Sequence, residues 1–240
     1  MAYLRRRATI ATAILFCVTS FVGPLAGRAV ADCSTEEQVF GGGPQAYGTT
    51  NNIRLTNRDL NTACGTPQWE AFSQAHIVLG GILGNWVETG WLEYIDAGSG
   101  AHTFAADTEW GLAGNQKGQA VVAVSCIKLS NAGNFYKWRV NNVAGTNNWT
   151  LLLNCGSGFA QISEYDGTGY HTGIAAGETG RYGGTATGMS DSQNTLKFKN
   201  SSGTWGDWTS DSCYLDSASN WYWSYVSSTA YNVLNGSLGC

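Results

Sequence analysis

From Gln74 onward the chain is written in short apolar or alternating runs separated by Gly, Asn, Ser and Asp. The clearest is Phe135-Tyr-Lys-Trp-Arg-Val-Asn141. Tyr136, Trp138 and Val140 fall on one side at period two and Lys137 and Arg139 on the other, a strand with one dry and one wet face. Further runs are read at 76–83, 86–95, 103–110, 120–129, 149–153, 158–164, 173–180, 195–200 and 222–225. Ala120-Val-Val-Ala-Val-Ser-Cys126 reads as a strand covered on both faces. Apolar spacing of 3.6 residues is nearly absent, and 212–227 is the one stretch read as a short helix. Many short strands with Gly-rich turns predict an all-β fold, an antiparallel two-sheet β-sandwich or jelly roll. Residues 32–73, with Gly41-Gly42-Gly43-Pro44 and a polar run at 49–52, read as an irregular arm tied by a disulfide, leaving 74–240 as the sandwich domain.

The run Asn85-Trp-Val-Glu-Thr-Gly-Trp-Leu-Glu-Tyr-Ile95 stands out, because its aromatic and β-branched residues predict a central strand that carries a carboxylate. Trp86, Glu88, Leu92 and Tyr94 share one face; Val87, Thr89, Trp91, Glu93 and Ile95 share the other. A carboxylate among aromatics is either a solvated surface group or one whose pKa is raised for chemistry. The other acids within strands are Glu93, Glu109, Glu164 and Glu178; Glu109 and Glu164 are read as ordinary surface acids. Glu178 lies in Gly173-Ile-Ala-Ala-Gly-Glu-Thr-Gly180, where small neighbours leave room for another molecule to approach the backbone. If their strands adjoin on one face, Glu88 and Glu178 would share a proton, one as acid and one as base.

The N-terminus changes the compartment. Arg5-Arg6-Arg7, an apolar stretch from Ala8 to Ala26 and Ala29-Val-Ala31 follow the grammar of a secretory signal peptide, residues 1–31. Its removal takes Cys17 and leaves six cysteines, an even number that predicts three disulfides in an exported protein. Neighbour pairing gives Cys33–Cys64, Cys126–Cys155 and Cys213–Cys240. No C-x-x-C pair exists and the three histidines are scattered, so neither metal nor cofactor is expected. Of 13 basic residues the leader holds Arg5, Arg6, Arg7 and Arg28, leaving nine against 17 acidic ones. That balance argues against nucleic acid or an anionic membrane as partner. A monomer is expected.

Glu88-Thr-Gly-Trp91 resembles the E-A-G-W strand of the neprosin family of secreted glutamic peptidases, and Gly177-Glu178 resembles its later G-G-E strand. Thr108-Glu109-Trp110 is similar to the Y-E-W strand of the eqolisin-type glutamic peptidases. The likeness spans about residues 74–180 in motifs of three or four residues. It implies a concanavalin-like sandwich and a secreted enzyme that hydrolyses peptide bonds at acidic pH with a glutamate pair, here Glu88 and Glu178, and an activated water. Tyr94, Trp110 and Trp86 are the expected substrate-binding aromatics, facing an extended polymer. Two readings stand beside it: a glycoside hydrolase using the same carboxylates on a polysaccharide, and a non-catalytic extracellular carbohydrate- or protein-binding sandwich.

Overall fold

The computed structural model describes residues 36–57, 59–62, 69–80, 84–96, 101–113, 115–167, 172–180, 184–187, 190–208, 212–216, 221–227 and 229–235. In chain order the strands are β1 (Glu36–Gln45), β2 (Gly48–Arg54), β3 (Asp59–Thr62), β4 (Trp69–Gly80), β5 (Trp86–Asp96), β6 (His102–Leu112), β7 (Asn115–Val122), β8 (Phe135–Asn142) and β9 (Asn148–Asn154). They continue as β10 (Phe159–Asp166), β11 (Thr172–Gly180), β12 (Gly184–Thr187), β13 (Ser190–Lys199), β14 (Trp205–Asp207), β15 (Ser212–Asp216), β16 (Trp221–Ser227) and β17 (Ala230–Asn235). Between β7 and β8 a single 3₁₀ turn covers Leu129–Asn131. No helix among the described residues is long and apolar enough to cross a membrane.

All described pairings are antiparallel. One sheet runs β15-β1-β11-β4-β5-β6-β7; the other runs β10-β9-β8-β2-β13-β17-β16, with β14 added beside β13. β3 and β12 form a separate two-stranded sheet. The expected all-β sandwich is the observed one.

Alternation explains how the sheets close on each other. Tyr136, Trp138 and Val140 of β8 and Trp149, Leu151 and Leu153 of β9 are buried, and meet Ile77 of β4, Val87 and Trp91 of β5 and Phe104 and Ala106 of β6. Each fully buried aromatic of this kind contributes about 1.5–3 kcal/mol through the apolar area it removes from water. Trp91 also spans the layers by donating from Nε1 to the Arg54 carbonyl at 2.9 Å. Beyond β9, the Cys126–Cys155 disulfide ties the loop after β7 to the loop after β9, with a Cα–Cα distance of 5.9 Å.

Three expectations are corrected here. Residues 36–54 are no arm, since β1 lies between β11 and β15 and β2 lies between β8 and β13. Their Gly- and Asn-rich composition hides this because both strands are held from two sides, where partner hydrogen bonds override weak intrinsic preference. The stretch 212–227 contains strands β15 and β16 rather than a helix. Ala120–Val122 ends an edge strand, β7, whose alternate residues are exposed, because the sheet stops there. Of the expected disulfides besides Cys126–Cys155, Cys33–Cys64 and Cys213–Cys240 involve Cys33, Cys64 and Cys240, which lie outside the described residues, as does the proposed leader.

Candidate active site

Register decides what surrounds Glu88. In β5 it stands opposite Val78 of β4 on one side and Glu109 of β6 on the other, while Gly90, two residues on, stands opposite Asp107. Partners directly opposite share a face, and residues two apart along a strand share it too. Glu88, Asp107 and Glu109 therefore converge on the face of the seven-stranded sheet turned away from the core. Their carboxylate oxygens lie within 4.8 Å of one another.

Burial makes that convergence expensive in charge. Glu88 is 2% exposed and Asp107 3%, whereas Glu109 is half-buried. Like charges directly opposite in a sheet repel, and the interior screens them poorly. The strain is relieved at Asp107. Burial first, and the neighbouring Glu88 carboxylate second, push its carboxyl from 3.8 up to about 7, against smaller opposing pulls from the Gln119 side chain and the Thr108 backbone. Gln119 Nε2 donates to Asp107 Oδ1 at 3.1 Å.

Trp86 shapes the rim. Its ring lies over Gly111, where a Cβ would sit 2.0 Å from the indole, and its Nε1 donates to Glu109 Oε1 at 3.2 Å. Only glycine at 111 lets the indole lie down on β6 and reach the carboxylate. From Glu109 the cluster continues to Gln119 of β7, which stands opposite it and is exposed. The lip of the site is thus the Glu109–Gln119 edge, with Glu88 and Asp107 beneath it.

Other candidates fall elsewhere. Glu178 of β11 stands opposite Gln74 of β4, which stands opposite Leu92 of β5. Two strand steps and four residues separate the two backbones, about 16 Å by ordinary strand spacing and rise. Among the described residues, the carboxylates brought to Glu88 are those of Asp107 and Glu109. Trp110 stands opposite Val87 and packs against the core cluster, with its ring 6.0 Å from that of Tyr165, so it faces the interior and not the Glu88 side. Trp86 is buried over Gly111, and Tyr94 is half-buried on the Glu88 face, six residues along β5. Glu93 points inward, fully buried, with its Oε1 2.9 Å from His102 Nε2. Glu164 is an exposed acid as expected, accepting from Gln161 and Asn148.

Asp107 and Gln119 are the residues that strand-by-strand reading misses. The signal was present: Asp107 and Glu109 are two apart in one strand, and pairing this strand with its hairpin partner brings both to Glu88. Three oxygen donors at this spacing could also hold a hard divalent cation, although two of the three residues are deeply buried.

No protein-family model matches the chain, and no curated protein matches it in sequence. Among solved structures it is similar to scytalido-glutamic peptidase bound to a transition-state analogue inhibitor, with a TM-score of 0.53 and 11% identity over 83% of this chain and 97% of that one. Weaker likenesses are to a functionally unknown protein from Saccharomyces cerevisiae (TM-score 0.33, 10% identity, 61% of this chain and 74% of that) and to a β-porphyranase from the human gut bacterium Bacteroides plebeius (0.24, 8%, 59% and 54%). The first is a likeness of fold. The other two are too distant to carry an argument.

Proposed function

We propose that this chain is a secreted hydrolase of extended polymers, a peptidase of the glutamic type, in which Glu88 and Asp107 work as a proton-sharing carboxylate pair. The observation that carries the reading is the convergence of two buried acids, Glu88 and Asp107, with carboxylate oxygens within 4.8 Å, where burial and the Glu88 charge raise the pKa of Asp107 to about 7. Paired acids whose environments hold one protonated supply both halves of general acid–base hydrolysis.

The chemistry balances without a cofactor. A water bound at the Glu109–Gln119 lip gives a proton to the Glu88 carboxylate as its oxygen adds to the scissile carbonyl carbon. The Asp107 carboxyl then protonates the departing amide nitrogen as the C–N bond breaks. Glu109, held by Trp86, orients that water. The sandwich shared in fold with a glutamic peptidase and the Glu88-Thr-Gly-Trp91 motif support the peptide reading, and the disulfide supports an oxidising destination.

Carboxyl spacing favours one form of the alternative. Inverting glycosidases need carboxyls about 6.5–9.5 Å apart to admit water, so oxygens within 4.8 Å would fit only retention of anomeric configuration.

The test is digestion of a mixed protein substrate between about pH 3 and 8 by the wild type, Glu88→Gln, Asp107→Asn and Glu178→Gln. The expected result is cleavage by the wild type and Glu178→Gln, with losses of about 100-fold or more in the other two, the usual scale for general acid–base groups. Full activity in Glu88→Gln would sink the proposal. Loss in Glu178→Gln with Asp107→Asn unaffected would move the acid to β11. Cleavage of glycans alone would move the substrate class.

A further inference from the structure

The outer face of the other sheet carries a second arrangement that the proposed hydrolysis does not use. Arg139 projects from β8 on the side opposite the buried Trp138 and Val140. Its Cζ lies 3.9 Å from the centroid of the Phe159 ring of β10 and 4.8 Å from that of Trp205 of β14. The guanidinium is thus clamped between rings contributed by strands at nearly opposite sides of the sheet. Gly48 of β2 makes room for it, since a Cβ there would meet the Trp205 ring at 3.1 Å, the Lys199 Cβ at 3.3 Å and the Val140 carbonyl oxygen at 2.9 Å.

Charge on this face is unbalanced. Arg139 Nε is buried with no hydrogen-bond partner among the described residues. Lys199 Nζ spends two donors on Asn141 Oδ1 and the Asn142 carbonyl, both at 3.0 Å. Burial, then the charge of Arg139, lowers the pKa of Lys199, and burial lowers that of Arg139, so two cations crowd one partly dry spot. Lys137 lies two residues from Arg139 on the same face. Two acids of this face are engaged, Asp207 with Lys197 at 2.7 Å and Glu164 with Asn148 and Gln161, while Asp166 stands exposed at the end of β10 away from Phe159. In a chain of net charge −4, three cations without a carboxylate partner among the described residues, one of them against two aromatic rings, concentrate positive charge on this face.

We infer that this face binds an anionic polysaccharide, with Arg139 and Lys199 receiving a carboxylate or sulfate on one sugar while Phe159, Trp205 and Asn141 contact the rings beside it. A sheet face of amides, hydroxyls and aromatic edges fits a chain of sugars. A guanidinium fixed by two rings has lost its rotamer freedom in advance, which lowers the cost of binding. Its planar fork matches an oxyanion with two oxygens.

Affinity electrophoresis of the intact exported protein through polygalacturonate, dextran sulfate, neutral dextran and poly-glutamate tests this. Retardation is expected by at least one of the two anionic glycans, which also identifies the carboxylate or sulfate as the group read, and by neither dextran nor poly-glutamate. Arg139→Gln and Lys199→Gln should each weaken binding about tenfold or more, Phe159→Ala less, and Lys117→Gln on distant β7 not at all. Thermal melting accompanies each variant, and Lys199→Gln, which removes no stacked group, serves if Arg139→Gln fails to fold. Equal retardation of wild type and Lys199→Gln, no retardation by either glycan, or poly-glutamate retarding as strongly as the glycans would each overturn the inference.

Discussion

Gln119 donates its side-chain amide to Oδ1 of Asp107 at 3.1 Å. The hydrogen bond favours the ionised carboxyl, so it works against the burial that raises the pKa. Replacing Gln119 by Leu removes that opposition. The high-pH fall in hydrolysis, expected near pH 7 as Asp107 loses its proton, should move to higher pH in Gln119→Leu. A pH–kcat/KM profile of both proteins checks it.

The same proton ties stability to pH. An unfolded chain releases it near pH 3.8 and the folded one near 7, so the folded state binds more protons in between. Stability therefore declines as pH rises through that window and levels off above it, by an amount on the order of 4 kcal/mol if Asp107 acts alone. Asp107→Asn, neutral at every pH, should flatten this slope and melt higher than the wild type at pH 8. Urea titrations at pH 4, 6 and 8 measure the difference.

Gly111→Ala is expected to disturb the site without touching a carboxylate. The added methyl cannot coexist with the Trp86 ring, which must lift and release Glu109. Trp86→Phe removes the same hydrogen bond while keeping the packing, a change of about 1.5–3 kcal/mol where a charged acceptor is involved. Both variants should lose activity, and Gly111→Ala should lose stability as well. Activity in Trp86→Phe equal to wild type would show that Glu109 needs no such support.

Reduction or Cys126→Ser with Cys155→Ser should cost about 3–4 kcal/mol, the loop-closure entropy of a 29-residue separation. Calorimetric melting with and without reductant reads it directly. Since neither cysteine belongs to the carboxylate cluster, activity at 25 °C is expected to persist.

Dialysis against EDTA should leave hydrolysis unchanged if the cluster works through its proton. Activity lost on chelation and restored by calcium, magnesium or manganese would reassign Glu88, Asp107 and Glu109 as ligands.

Strands β8 and β9 were legible because each has one face in the core, so alternation survives in the sequence, and β5 because its aromatic and β-branched residues mark a strand. β1 was not. Its Glu-Glu-Gln-Val-Phe-Gly-Gly-Gly-Pro-Gln carries little alternation, and its conformation is imposed by β11 and β15 on either side. Glu88 could be singled out alone, as a carboxylate in an aromatic strand. Asp107 was missed because its own strand does not mark it; only the register of the β5–β6 hairpin sets it beside Glu88, and only the assembled sheet buries it. The motif likeness points to Glu178 as a second acid; among the described residues, hairpin register brings Asp107 and Glu109 to Glu88.

The β1–β11 ladder joins Glu36 to Gly180. A ribosome adding about 5–20 residues each second needs on the order of ten seconds to deliver that partner. Until then the seven-stranded layer lacks a member and cannot close, and such non-local pairing is slow in itself. A polypeptide in this condition carries an open sheet edge through most of its synthesis, and the layer is sealed only by what arrives late.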